Sequence, residues 1–116
     1  MVAHLYVPAL EKKKGIPATL SYNIVTNLLK NKYNYKGLVI TDALNMNAVA
    51  KKFPAGELDL KAFKAGNDLL LFSQDVPNGK ALIKKAIEKG EISEERLAES
   101  VKKILKTKYL LGLQNL

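Results

Sequence analysis

The sequence contains no cysteine, one histidine (His4) and one arginine (Arg96). The lack of cysteine excludes disulfides and thiolate-bound metals. With a single histidine and no carboxylate pair at ligand spacing, neither a metal nor a cofactor is expected. No glycine-rich loop opens a helix, so a phosphate cradle has no support. The elbow motif of a serine nucleophile is missing as well. No apolar run approaches the roughly 20 residues that a membrane-spanning helix needs. Residues 1–10 lack a basic stretch followed by a long apolar core, so no signal peptide is expected, and the compartment stays open.

What remains is a chain of 116 residues, enough for one domain or less, with 47% hydrophobic residues and a formal net charge of +8. That charge comes from lysines spaced along helices (Lys80, Lys84, Lys85, Lys102, Lys103, Lys106) and from one loop, Lys12-Lys13-Lys14. Polar faces of amphipathic helices account for them, without arginine clusters or aromatic–basic interleaving, so no nucleic-acid partner is expected. A basic nucleic-acid binder remains an alternative whose mark would be salt-dependent duplex binding.

In chain order, residues 2–7 read as a short strand and residues 8–17 as a polar loop. Ser21 is placed to cap a helix carrying Ile24, Val25, Leu28 and Leu29 on one face. Gly37-Leu38-Val39-Ile40-Thr41 reads as a second, buried strand. After Asp42 come a helical turn or two, interrupted at Phe53-Pro54-Ala55-Gly56, then a helix over 58–65 ending at Gly66. Leu69-Leu70-Leu71-Phe72 reads as a third buried strand. A helix over 79–89 stops at Gly90. The last helix starts at Ser93, with Ile92 and Leu97 as a hydrophobic staple and Leu97, Val101, Ile104 and Leu105 as the buried face. This order predicts an α/β fold with a parallel sheet. Its edges have no neighbours in the sequence, so self-association through an exposed edge is an expected liability.

The chemistry-bearing position is Asp42, where an apolar run ends and a helix-compatible segment begins. In strand-to-helix units this junction lies at the carboxyl end of the sheet, where α/β proteins put their sites. Asp42 reads either as an N-cap or as an ionised carboxylate facing an electrophilic carbon or a cation. Caps are far commoner than nucleophiles, so the residues alone favour the cap. His4, at a strand end, reads as a structural hydrogen-bonder that shares the face of Asp42 and Ser73. Asp68 and Asp75 read as turn and cap residues.

Gly37-Leu38-Val39-Ile40-Thr41-Asp42-Ala43-Leu44-Asn45-Met46 resembles the nucleophile segment of glycoside hydrolase family 3, in its β-N-acetylglucosaminidase branch. Val2-Ala3-His4 with Pro8-Ala9-Leu10, Pro17-Ala18-Thr19-Leu20-Ser21, Ala65-Gly66-Asn67-Asp68-Leu69-Leu70-Leu71 and residues 104–112 resemble further family segments in the same order. Residues 72–77 are similar to a bacterial branch. The resemblance implies that residues 1–116 form part of the family's catalytic domain. The expected portion is about the last three β/α units of a (β/α)8 TIM barrel with parallel strands. It implies retaining hydrolysis of terminal β-linked N-acetylglucosamine, from a glycan or cell-wall fragment, with Asp42 as nucleophile and His4 and Met46 at the sugar. For Met46, helix packing reads equally well. The acid/base is implied upstream, so the isolated chain is expected to be inactive or impaired, with a missing segment as its natural complement. A β-glucosidase-type family 3 hydrolase and a self-associating, non-catalytic α/β module are the alternatives.

Overall fold

The computed structural model describes residues 1–113. Among these, helices α1 (Asn23–Lys32), α2 (Asn47–Ala50), α3 (Ala55–Ala65), α4 (Val76–Glu88) and α5 (Glu94–Leu110) follow a 3-10 turn at Ala18–Leu20. Their ends follow local chemistry. Asp75 accepts the Asn78 N–H at 3.2 Å to cap α4, and Ser93 accepts the Arg96 N–H at 3.1 Å to cap α5. Each such cap stabilises its helix by about 1 kcal/mol. Gly66 closes α3 at φ +121°, a conformation that a Cβ would strain. Ser21 accepts the Ile24 N–H at 3.2 Å and itself donates to the buried carboxylate of Glu11 at 2.5 Å. Helix α1 is wound wider than an α-helix, with the Tyr33 N–H reaching the Leu28 carbonyl, five residues back, at 2.9 Å.

Helix α3 is the centre of the core. Leu58 and Ala62 pack with Leu20, Leu44 and Val49, while Ala65 packs with Val25 and Val39. Phe63 looks the other way, onto Ala86 and Ile92. A fully buried leucine such as Leu44 or Leu58 contributes about 1.5–3 kcal/mol. Helix α4 crosses α3 closely because two glycines permit it. A Cβ on Gly56 would collide with Asn78, and one on Gly79 with the carboxylate of Asp59.

The expected parallel sheet does not form. Among the described residues there is no strand and no sheet, which overturns the expectation of three TIM-barrel units. The three apolar runs do lie side by side, but each pairing is one parallel bridge long, Val2 to Thr41 and Ile40 to Leu69. Side chains intercept the ladder on both sides of its single rung. The Asp68 carboxylate takes the Val39 N–H at 2.9 Å, and the Thr41 hydroxyl takes the Leu71 N–H at 2.9 Å. On the outer run, Leu5 gives its carbonyl to the Ala18 N–H at 2.7 Å instead of to a neighbouring strand. A parallel ladder needs consecutive backbone pairs, and these residues spend their donors and acceptors elsewhere.

The expected inner face of α5 is also overturned. Leu97, Val101 and Leu105 are 40%, 43% and 58% exposed, and Ser100 is buried in their place. The Lys103 side chain is only 16% exposed. Ile92 packs with Phe63 and Ala86.

Candidate active site

The segment 39–44 runs between residues 2–3 on one side and 68–71 on the other. Its backbone is held at nearly every step. Val2 N–H donates to Ile40 O at 2.8 Å, and Asp42 N–H to Val2 O at 2.9 Å. From the other side, Thr41 N–H donates to Leu69 O at 3.0 Å and Leu44 N–H to Leu71 O at 2.9 Å. Buried Val39 and Leu44 anchor the two ends in separate core clusters. Asp42 thus projects from a fixed backbone, although no sheet surrounds it.

Asp42 does not cap a helix. Helix α2 starts five residues later, at Asn47, and Met46 holds its N-cap position. The half-buried Asp42 instead accepts the N–H of its own neighbour, Ala43, on Oδ1 at 2.8 Å. Among the described residues this is the one hydrogen bond to that carboxylate, and Oδ2 carries none.

The Ala43 peptide gathers all three candidate residues. Its N–H goes to Asp42, and its carbonyl accepts both the Met46 N–H at 3.1 Å and the His4 ring at 2.8 Å from Nε2. A carbonyl oxygen can only accept, so Nε2 carries the hydrogen. The other ring nitrogen, Nδ1, lies 2.8 Å from the Thr19 hydroxyl, which also reaches the Ala3 carbonyl at 2.9 Å. Both nitrogens of His4 are therefore engaged with protein, and the ring ties the 3-10 turn to the loop after Asp42. The Met46 side chain is 43% exposed at the same loop.

Two members of this arrangement were hidden in the sequence. Thr19, fully buried, orients the His4 ring, and Thr41 orders Leu71 beside Asp42. A threonine reads the same in a loop whether it is solvated or holds a neighbour, so neither had a distinguishing signal. Ser73, expected on the face of Asp42, donates instead to buried Asp59 at 2.5 Å. The other oxygen of Asp59, Oδ1, is buried without a hydrogen-bond partner among the described residues. Burial pushes the Asp59 carboxyl up, and Asp75 adds to this, against the lowering effect of the Ser73 hydrogen bond.

A groove of about 960 Å³ lies elsewhere. It runs along α1, lined by Leu20, Thr26, Lys30, Phe63, Lys64 and Arg96 among others, and includes none of Asp42, His4 or Met46. Hydrogen bonding marks the Asp42 loop.

Comparison with known proteins gives the loop its context. Beta-hexosaminidase A of Pseudoalteromonas piscicida is 32% identical over 96% of this chain and 22% of its own length. A protein of Cellulomonas fimi named beta-N-acetylglucosaminidase/beta-glucosidase is 29% identical over 97% of this chain and 22% of its own length. Among solved structures, a glycoside hydrolase family 3 beta-N-acetylglucosaminidase from Paenibacillus superposes with a TM-score of 0.75 at 43% identity, covering 88% of this chain and 20% of that one. The chain thus spans about a fifth of the length of the curated relatives it matches. Residues 1–107 match the glycosyl hydrolase family 3 N-terminal domain, and the chain belongs to that family.

Proposed function

We propose that Asp42 is the nucleophile in retaining hydrolysis of terminal β-linked N-acetylglucosamine, and that residues 1–116 are part of the catalytic domain that performs it. The observation that carries this reading is the half-engaged carboxylate. Oδ1 is pinned by the Ala43 N–H, while Oδ2 is left free on a backbone fixed from both sides. A nucleophile needs that combination, because orientation lowers the barrier only if the attacking atom is both placed and available.

In the proposed reaction Oδ2 attacks the anomeric carbon, the glycosidic bond breaks, and a glycosyl ester forms on Asp42. The leaving oxygen takes a proton from an acid outside this chain. The same group then removes a proton from water, which attacks the anomeric carbon and releases the sugar and the carboxylate. Such an acid/base stands about 5–5.5 Å from the nucleophile in retaining enzymes. His4 is not that group, since its Nε2–H is committed to the Ala43 carbonyl. It acts as a positioning residue that shapes the loop against which the sugar rests. Exposed Met46 offers a thioether at the same loop.

Mass spectrometry of the intact chain after incubation with a fluorinated N-acetylglucosaminide bearing a good leaving group tests this. Such a leaving group needs little acid assistance. A gain of one sugar mass supports the reading, and no gain on the folded chain contradicts it. The name of the Cellulomonas fimi relative makes the corresponding fluorinated glucoside the second reagent to try. Without its acid/base the chain should turn over an unactivated disaccharide roughly 10²–10⁴-fold more slowly than a complete enzyme, or not at all.

A further inference from the structure

The Thr19 hydroxyl has more partners than hydrogens. His4 Nδ1 lies 2.8 Å from it, the Ala3 carbonyl 2.9 Å and the Val2 carbonyl 3.3 Å. A hydroxyl gives one hydrogen and can receive others. Thr19 is fully buried, so these contacts belong to the interior of the chain. Across the ring, the Ala43 carbonyl requires a hydrogen on Nε2 whatever Nδ1 carries. The tautomer with its hydrogen on Nδ1 alone is excluded, because two lone pairs would then meet at 2.8 Å.

Two arrangements satisfy the ring. With one proton on the imidazole, Nδ1 accepts from the Thr19 hydroxyl. With two, Nδ1 donates to Oγ1 and the hydroxyl turns its hydrogen to the Ala3 carbonyl. The change is a rotation about one C–O bond, since both partners already lie within hydrogen-bonding distance. Nε2 donates to Ala43 in both, so the peptide whose N–H holds Asp42 Oδ1 stays in place. The 3-10 turn Ala18–Leu20 and residues 43–46 bring no titratable side chain to the ring. Among the described residues neither ring nitrogen forms an ion pair, and Asp42 is the carboxylate across the Ala43 peptide. We propose that Thr19 is a positioning residue whose hydroxyl swivels, so that His4 gains or loses a proton at Nδ1 while Asp42 stays aimed. The bearing on catalysis rests on Asp42 as the nucleophile; the swivel itself does not.

His4 is the one histidine, so ring-labelled 15N NMR of the full chain reads it without overlap. As the ring titrates, the Nδ1 resonance should move from the unprotonated to the protonated type, while the Nε2–H signal persists on both sides. Thr19→Val keeps the shape and removes the hydroxyl. A second proton on Nδ1 then has no acceptor, and the ring should swing away from Ala43 and lose the Nε2–H signal. Thr19→Ser should restore it. Labelling of Asp42 by the fluorinated N-acetylglucosaminide supplies the second arm. The rate of Thr19→Val relative to wild type cancels the ionisation of Asp42 itself. That ratio should fall at least about tenfold as His4 takes its second proton, and stay flat for Thr19→Ser. Loss of Nε2–H from the wild type on ring protonation, or its retention in Thr19→Val, would overturn the proposal. A ring that holds one proton down to the pH at which the chain unfolds would overturn it too. Failure of the wild type to label would count against Asp42 as nucleophile, with the NMR arm still deciding the swivel.

Discussion

Two carboxylates bracket the segment 39–44, and they are treated in opposite ways. Asp68 holds the Val39 end. Its side chain has no exposed surface and accepts the Val39 N–H at 2.9 Å and the Ser100 hydroxyl at 2.6 Å, with Lys30, Arg96 and Lys103 at 3.4, 3.4 and 3.6 Å. Burial alone would push its carboxyl up. The Ser100 and Val39 hydrogen bonds, with Lys30 and Lys103, outweigh it and hold the group below the ordinary carboxylate range. Asp42, at the other end, has one neighbouring N–H and an oxygen to spare. The difference separates two uses of one side chain. A carboxylate surrounded by donors is a structural joint and a poor nucleophile, because attack would have to break those bonds. One held by a single oxygen remains able to react.

The comparison is broken most severely at Asp68. Asp68→Ala leaves Lys30, Arg96 and Lys103 facing one another without their anion and should cost about 3–5 kcal/mol, read as a shift of the urea midpoint. Acid should act in the same direction. Because the Asp68 pKa is lowered on folding, its contribution is fully present above the unfolded value and is lost as pH falls through the lower folded value.

Next comes the loop that holds Asp42. His4→Ala removes the donor from Ala43 and the partner from Thr19, and should cost about 1–2 kcal/mol while slowing labelling of Asp42. His4→Gln, which can still donate to the Ala43 carbonyl, should recover part of the labelling rate, which a merely structural loss would not.

Asp59 gives a smaller and opposite signal. Its pKa is raised on folding, so its contribution is present below the unfolded value and declines as pH rises through the folded one. Asp59→Asn should flatten that part of a melting-temperature profile, on the high side of the ordinary carboxylate range. Asp42→Asn should change stability least, within about 0.5 kcal/mol, since it leaves the backbone bonds of the segment intact.

The helices were legible in the sequence where a cap or a stop glycine fixed them: Asp75, Ser93 and Gly66 act as their residue types suggest. The strands were misread because apolar runs announce burial but not what satisfies their backbone. Here Asp68 and Thr41 supply side-chain partners that end the ladder. The α5 error has the same origin. Periodicity assumes that the apolar stripe faces inward, whereas a fully buried Asp68 requires donors, and Ser100, Arg96 and Lys103 turn inward to meet it. Asp42 itself stood out as a break in hydrophobicity. Its free oxygen, and the meeting of His4 and Met46 at Ala43, could not be read from spacing.

The most direct test of this division is to map the label. Wild-type chain and the Asp42→Asn variant would be treated with the fluorinated N-acetylglucosaminide, digested, and searched for the sugar-bearing peptide. The account predicts one sugar on the peptide containing Asp42 in the wild type and none in the equally stable variant. A sugar on Asp68 or on any other carboxylate, or undiminished labelling of Asp42→Asn, would contradict it.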